Sequence, residues 1–490
     1  MIIARIGRLI AITAAFALTG ASQASDLQEL QNKLIQFEES TQRAIQELKG
    51  QIAALEQKNK AGTPPAPAAA SAPPSASLAP EIQPPPTHYG AETQKRITVG
   101  ENELGAPRID NESLEPGMRG FFRLPGTRTF MKFGGFVKTD AYYDFTQAGT
   151  YYGAYVPSSF PSSTTPAAQN ATVSMRPTRF SWETRQGTLD NSGNSVKVYF
   201  EFDFLSNYDR NSIRLRQFYA QYKNILAGQA WSAFSDPDAF PDTLDIEGQP
   251  GMIAARFPQF RYTQPLGKHH SVGVSVEKSG TDTPFATQFG TPIGSSTFPD
   301  LIGFYRYENS HGHIHTAALF RNVGGVVPSE NVTGLARHTG AYGLSVSGAW
   351  TLPFFRKDSL VFQAVFGKGI SNYYNDNFGL GTDVGFSAEG HLVATPTGSG
   401  NFGYTHNWSK IIRSSVSYGY LRINSPAGDP PTTYHVSTYA TMNLIVQPTI
   451  RYLFGLEYIY GSLERKNDFK WVAPRIQASL VYYINKYPRE

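Results

Sequence analysis

The sequence predicts an all-β transmembrane barrel of about 16 antiparallel strands, preceded by an N-terminal α-helical coiled-coil extension. Apolar and polar residues alternate along most of the chain after residue 129, and no helical segment is available to cover the apolar face. In the segment 195–205, for example, Val196, Phe200 and Phe202 share one face, and Lys197 and Glu201 the other. A barrel in lipid buries such an apolar face and leaves no open sheet edge in the bilayer.

Composition supports this class. The 490 residues are 13% aromatic and 17% charged, with 45 glycines and 33 prolines, which is unusual for soluble domains. The absence of cysteine excludes disulfides, thiolate chemistry and Cys-ligated metals. A formal net charge of +4 is too small to indicate a nucleic-acid partner.

The first residues predict a signal peptide over 1–24. Arg5 and Arg8 precede an apolar run at 9–18, and small residues at 22–24 suit a signal peptidase. The alternative is a membrane anchor, but the run is shorter than the roughly 20 residues that a membrane-spanning helix needs.

A helical segment and a linker follow. Over 25–60, leucine, isoleucine and phenylalanine recur at spacings of three and four between Gln, Glu and Lys, which predicts a periplasmic coiled coil and self-association. The alternative is a lone solvated helix. Residues 61–128 are a Pro/Ala-rich spacer followed by a lead-in without periodicity.

Residues 129–490 are predicted to form the barrel. Counting separate strand-like runs gives seventeen, an odd number, and treating 391–408 as one long strand through its glycines restores sixteen. Short connections such as 265–270, 309–312 and 353–358 then fall on one side, and long ones such as 279–300, 323–337 and 371–390 on the other. Sixteen strands leave room for an aqueous channel.

One connection, at about 232–251, differs from the others. It contains three prolines, several apolar residues, no Lys or Arg, and the carboxylates Asp236, Asp238, Asp242, Asp245 and Glu247. Because the prolines stiffen this loop and its apolar residues need a surface to pack on, we expect it to fold against the inner wall as a constriction loop. The alternative is a solvated acidic outer loop.

Arginines occupy the polar face of several predicted strands. An arginine facing the middle of the bilayer costs about 2 to 4 kcal/mol, so the lumen is the expected location. The candidate pore-lining residues are Arg179, Arg214, Arg216, Arg256, Arg261 and Arg306. Opposite an acidic loop they would create a transverse field and bind small dicarboxylates through paired hydrogen bonds. The alternative is that they pair with carboxylates of the wall, such as Glu201 and Asp203, and stiffen the barrel.

No catalytic, cofactor or metal site is predicted. His313 and His315 share one wall, and no acidic residue is expected near them. Two other functional classes stay open at this point. One is a plugged barrel that acts as an envelope tether or adhesin-like structural protein, with 88–128 as the plug, and the other is an outer-membrane hydrolase.

Several segments together resemble the DcaP-like outer-membrane porins. They are 122–126, 133–144, 215–219, 228–234, 247–248, 256–259, 261–263, 367–370, 404–408 and 413–415. The resemblance extends over nearly the whole chain from residue 122, and the order of coiled coil, Pro/Ala spacer and barrel agrees with it.

The resemblance implies a homotrimer in the bacterial outer membrane, in contact with lipid, that lets small anionic solutes diffuse passively and favours dicarboxylates. The resemblance also implies that the family's pore arginines correspond to Arg216, Arg256 and Arg261, and further to Arg179, Arg214 and Arg306. The chain departs from this pattern at its end, because such barrels usually finish on a terminal Phe and this one has Tyr482 and Tyr483 followed by 485–490.

Overall fold

The computed structural model describes Gln46, Gly50, Phe289 and residues 120–149, 154–163, 168–187, 195–205, 212–284, 291–326, 337–352 and 358–484. The chain divides into two compact units, 1–81 and 82–490. The predicted signal peptide lies outside the described residues, as does the predicted linker up to residue 119. Of the predicted coiled coil only Gln46 and Gly50 are described, both helical, so the coiled coil stays a prediction. No helix in the described part of the chain is both long and apolar enough to cross a membrane.

Sixteen antiparallel strands form one closed barrel, as the sequence predicts. The strands are β1 Thr129–Asp144, β2 Arg179–Gly187, β3 Ser195–Asp203, β4 Arg214–Tyr222, β5 Ile225–Trp231, β6 Arg256–Leu266, β7 His270–Glu277, β8 Asp300–Glu308, β9 Gly312–Val326, β10 Arg337–Leu352, β11 Asp358–Lys368, β12 Pro396–Asn407, β13 Ile412–Ile423, β14 Tyr434–Val446, β15 Tyr452–Arg465 and β16 Lys470–Ile484. Each strand pairs with the next, and β1 pairs with β16 from Gly135↔Ile484 to Asp144↔Arg475, which closes the sheet.

Five shorter strands complete the description. Asn170–Ser174 pairs with the end of β1 and continues the line of β2, so it adds no barrel strand. Ile293–Ser295 pairs with β9, and Val384–Phe386 forms a small separate hairpin with Leu392–Ala394. The long loops containing these strands all leave the same rim of the barrel.

The fifth short strand, Phe122–Arg123, pairs with Phe130 and Met131 of β1. At this height β16 has ended, and the short strand takes the free edge of β1, where unpaired N–H and C=O groups would otherwise lie. The sheet therefore begins before the predicted start of the barrel at residue 129.

Side-chain orientation follows the predicted alternation. In β3, Lys197, Tyr199 and Glu201 are buried toward the interior, and Val198 and Phe200 between them lie on the outer face. On β9, His313, His315 and Arg321 face inward in the same way. The outer face carries large exposed apolar side chains, among them Val274, Phe320 and Leu344. An apolar outer face and a polar interior are the pattern of a barrel that stands in lipid.

The pairing of β3 with β4 contains one irregularity. Glu201 is opposite Gln217, but Phe202 is opposite Leu215, so Arg216 is the extra residue of a β-bulge. The bulge places Arg216 and Gln217 both inward and returns Phe218 to the outer face, where it is 53% exposed. Without it, strict alternation from Arg216 would point Phe218 into the lumen.

Candidate functional site

The connection between β5 and β6, residues 232–255, lies inside the barrel and packs along its inner wall. Its path begins at β7, where the Ala233 N–H donates to Glu277 (2.7 Å). It reaches β15, where the Glu457 carboxylate accepts from Leu244 N–H and Asp245 N–H (2.8 Å each), and then returns to β11, where Gln363 accepts from Ile253 N–H (2.8 Å). The loop thus occupies one side of the lumen.

Glycines of the wall make room for this loop. A Cβ atom at Gly455 would lie 2.6 Å from Leu244 Cδ1, and one at Gly403 would lie 2.9 Å from Pro241 Cβ. A Cβ atom at Gly419 would lie less than 3.0 Å from the Gln249 side chain, and one at Gly343 would lie less than 3.0 Å from the Phe234 ring. Side chains at these wall positions would push the loop toward the centre of the lumen, since a Cβ contact below 3.0 Å requires one partner to move.

The loop carboxylates mostly point to the wall. Asp236 accepts from His313 Nε2 (2.8 Å), Ser347 Oγ (2.7 Å) and Arg306 Nη1 (3.1 Å). Asp238 accepts from Arg306 Nη2 (2.8 Å), and Asp242 from Arg413 Nε (2.6 Å). A buried carboxylate is costly unless it is paired, so these contacts account for the inward fold of an acidic loop.

Asp245 is anchored by neutral groups. Its carboxylate accepts from Tyr439 Oη (2.9 Å) and from Gly248 N–H (3.1 Å). Burial raises the pKa of Asp245 to about 6, against the opposing influence of Arg475 and Tyr439. Glu247 is the fifth carboxylate, and its half-buried side chain lines the open space beside the loop.

Four of the six candidate arginines line a single narrow cavity of about 40 Å³ with Glu247 and Asp245. They are Arg179 of β2, Arg214 and Arg216 of β4, and Arg256 of β6. The strands β2 to β6 form the side of the barrel away from the strands β7 to β15 that hold the loop. Alternation predicted that these side chains face the lumen, and the structure places these four around one cavity.

Two of these arginines have carboxylate partners. Arg214 donates from Nε and Nη2 to Asp203 (2.8 Å each), and Arg216 donates to Glu201 (2.7 Å) and Asp203 (2.9 Å). Among the described residues, Arg214 Nη1 and Arg216 Nη2 make no hydrogen bond. Each guanidinium is thus held in place by some of its donors and keeps another donor unbonded.

Arg256 is different. Its side chain makes no hydrogen bond or ion pair with any described residue, and its Cζ lies 4.4 Å from the centre of the Trp231 ring. The charge of Arg256 is thus not neutralised by a contacting carboxylate in the described part of the chain.

The structure does not bring Arg261 and Arg306 to this cavity. Arg261 is buried and donates to Gln259 Oε1 (2.9 Å) and to the Trp231 carbonyl (2.7 Å). Arg306 bonds to Asp236, Asp238 and Glu308. The alternation along a strand determines which face of the barrel a residue is on. It does not determine the position of the residue along the barrel axis, nor the loop residues that bond to it.

The expectation that His313 has no acidic neighbour is wrong, because the loop brings Asp236 to it. Asp236, Asp238 and His313 are also close enough to share a metal ion, but the guanidinium of Arg306 already bonds to both carboxylates. Ser347 and His313 both bond to Asp236 rather than to each other, so they do not form a nucleophile and base pair.

A larger cavity of about 410 Å³ adjoins the narrow one. The two share Arg214, Arg256, Glu247, Ala254 and Asn375, and the larger one is also bounded by loop residues of the long-loop rim, including Ser158, Asp376 and Phe378. A vestibule thus leads to the narrow cavity. Sequence reasoning missed Trp231, Gln249 and Asn375 as lining residues, and the only available signal was the position of Trp231 at the end of a strand.

Comparison with known proteins agrees with this architecture. A family model described as the DcaP outer membrane protein matches residues 123–483. The chain belongs to the DcaP outer membrane protein family. This confirms the resemblance, and it agrees with the interpretation that the chain is not an enzyme, since the family and the similar structures are outer-membrane channels and porins.

Several solved structures are similar to this DcaP family member, and the first of them shows the same fold. The outer membrane channel DcaP of Acinetobacter baumannii is 21% identical with a TM-score of 0.63, and the match covers 74% of this chain and 99% of that one. OmpT of Vibrio cholerae is 11% identical (TM-score 0.45, 74% and 99% covered). An anion-selective porin from Comamonas acidovorans is 10% identical (TM-score 0.46, 73% and 100% covered). No curated protein matches the sequence.

Proposed function

We propose that this DcaP family member is a passive porin for small, preferentially anionic solutes such as dicarboxylates. The single observation that carries the proposal is the uneven distribution of charge around the narrow cavity. Four arginines line it, while four of the five loop carboxylates are bonded to the wall or to other groups of the loop. A passing anion would find guanidinium donors in place of part of its hydration shell.

The arrangement differs from the transverse field that the sequence suggests. Three of the loop carboxylates, Asp236, Asp238 and Asp242, bond to His or Arg side chains of the wall and serve as anchors for the loop. Only Glu247 lines both cavities as an acidic group. This favours a constriction in which the uncompensated charge of Arg256 and the unbonded donors of Arg214 and Arg216 face the solute, since Glu201 and Asp203 already balance the charges of the latter two. Two neighbouring guanidinium groups match the two carboxylates of a dicarboxylate.

The proposed working form is a homotrimer in the outer membrane, with the N-terminal segment in the periplasm. Large apolar side chains on the outer face suit contact with lipid and with copies of the same chain. The alternatives are a plugged tether and a hydrolase. The vestibule that opens toward the arginines favours a path for solutes over both.

The test is a charge-removing pair of variants on one strand. Arg256→Gln should lower the ratio of anion to cation permeability, measured by reversal potential under a KCl gradient across a planar bilayer. Arg261→Gln removes the same charge from β6, but outside the cavity, and should leave the ratio nearly unchanged. Equal effects of the two variants, or no effect of Arg256→Gln, would contradict the proposal.

A further inference from the structure

The Trp231 side chain lies beside two of the four arginines that line the narrow cavity. It lines the narrow cavity together with Arg216 and Arg256, and it is only 4% exposed. The guanidinium of Arg256 lies 4.4 Å from its ring centre, and that of Arg216 lies 6.0 Å from it. Both distances are in the range at which an indole face attracts a cation.

The position of this ring is fixed by the fold. Trp231 is the last residue of β5 and the cross-strand partner of Arg256 on β6. Its carbonyl accepts from Gln259 Nε2 (2.8 Å) and from Arg261 Nη2 (2.7 Å), and the edge of the Phe240 ring packs against it at 5.6 Å between centroids. The backbone and the ring are therefore both held where the constriction loop begins.

We infer that Trp231 is the residue that positions Arg256 for solute binding. The inference rests on the proposed function. An aromatic face attracts a guanidinium without using any of its N–H donors and without cancelling its charge, unlike a carboxylate. Arg256 is held in this way, and all its donors stay available to an anion in the cavity.

Loss of the ring has a specific consequence. Glu247 lines both of the cavities that Arg256 lines, so a released Arg256 side chain has a carboxylate within the same space. Pairing with Glu247 would neutralise Arg256 and occupy its donors. Trp231 therefore controls selectivity through Arg256 and is a positioning residue.

The experiment compares reversal potentials of the full chain, reconstituted in planar bilayers under a KCl gradient. Trp231→Leu should lower the anion to cation permeability ratio about two- to fivefold, the range that corresponds to an exposed to partly buried cation–π contact. Trp231→Phe keeps an aromatic face with weaker attraction and should lower the ratio less. Trp182→Leu removes an indole from the outer face of β2, where the side chain is 41% exposed, and should leave the ratio unchanged.

A double variant separates positioning from general packing. If Trp231 acts through Arg256, then Trp231→Leu should have no further effect on selectivity in a chain that already carries Arg256→Gln. Fully additive effects would overturn the inference, and so would an unchanged ratio in Trp231→Leu or, where that variant does not assemble, in Trp231→Phe. A wild-type channel without anion preference would overturn the proposed function and this inference together, whereas an anion-selective wild type that is indifferent to Trp231 would overturn the inference alone.

Discussion

At the scale of single residues, the site depends on which charges are paired and which are not. The sequence placed acidic and basic groups opposite each other, and the structure bonds most of the acidic ones to the wall. The reason is that a carboxylate inside the barrel must find donors, and those on β8, β9, β13 and β14 were closer than the arginines of β2 to β6. Partner choice of this kind depends on tertiary contacts and cannot be obtained from alternation.

Glu247 is the acidic residue whose removal should strengthen selectivity. Glu247→Gln removes the carboxylate that lines both cavities, so the anion to cation permeability ratio should rise, on the order of twofold for one partly screened charge. Asp468→Asn is the matched control, since it removes the same charge at an exposed turn where the positive φ of 61° also suits Asn. A fall in the ratio in Glu247→Gln would contradict this assignment.

The stability of the folded loops at the long-loop rim is expected to depend on pH through Asp376. Burial raises the pKa of Asp376 to about 7, while Ser158 N–H (2.9 Å) and Tyr434 Oη (3.1 Å) donate to its carboxylate and favour the charged form. The folded pKa is above the unfolded one, so the folded loops bind the proton more tightly, and their stability falls as pH rises between about 4 and 7.

Loop opening should therefore increase with pH, by up to about tenfold per pH unit within that window. Limited proteolysis of the loop at 371–380 between pH 4 and 8 measures it. Asp376→Asn can keep both contacts without a charge and should make the cleavage rate independent of pH over that range, apart from the intrinsic pH profile of the protease. A pH dependence that persists in Asp376→Asn would contradict the assignment to this carboxyl group.

At the scale of elements, the strands were predictable and the details of their pairing were not. Alternation predicted the number of strands. The prediction of one strand over 391–408 is confirmed for β12, which runs without a break through Gly398 and Gly400, but it is wrong for Leu392–Ala394, which pairs outside the barrel. The short strand Phe122–Arg123 and the bulge at Arg216 were missed. Both are consequences of the register between neighbouring strands, which the period-2 pattern within a single strand does not show.

The position of the constriction loop depends on the residues of the barrel wall as well as on those of the loop. Gly455→Val places a side chain where Leu244 packs, so the loop must move toward the centre of the lumen, at a cost of about 1 to 3 kcal/mol in stability. We expect a lower single-channel conductance and a lower unfolding temperature. Gly400→Val adds the same atoms to open space on β12 and should change neither. An unaltered conductance in Gly455→Val would show that the loop does not set the width of the channel.

At the scale of the whole molecule, the protein is a closed barrel with one loop packed along its inner wall and two adjoining cavities beside that loop. The barrel was predictable because only a closed sheet satisfies every backbone group in lipid while its outer face is apolar. The proposed solute path was less predictable, since the cavities that define it lie between the wall and a folded loop. The coiled coil, the linker and the trimeric state stay predictions that the described residues do not test.

The most direct test of the central claim is the conductance of the wild-type protein in planar bilayers. The account predicts open, salt-filled channels that appear in groups of three equal steps, with a reversal potential under a KCl gradient on the anion-selective side. A barrel that inserts but carries no current, or one that prefers cations, would contradict it.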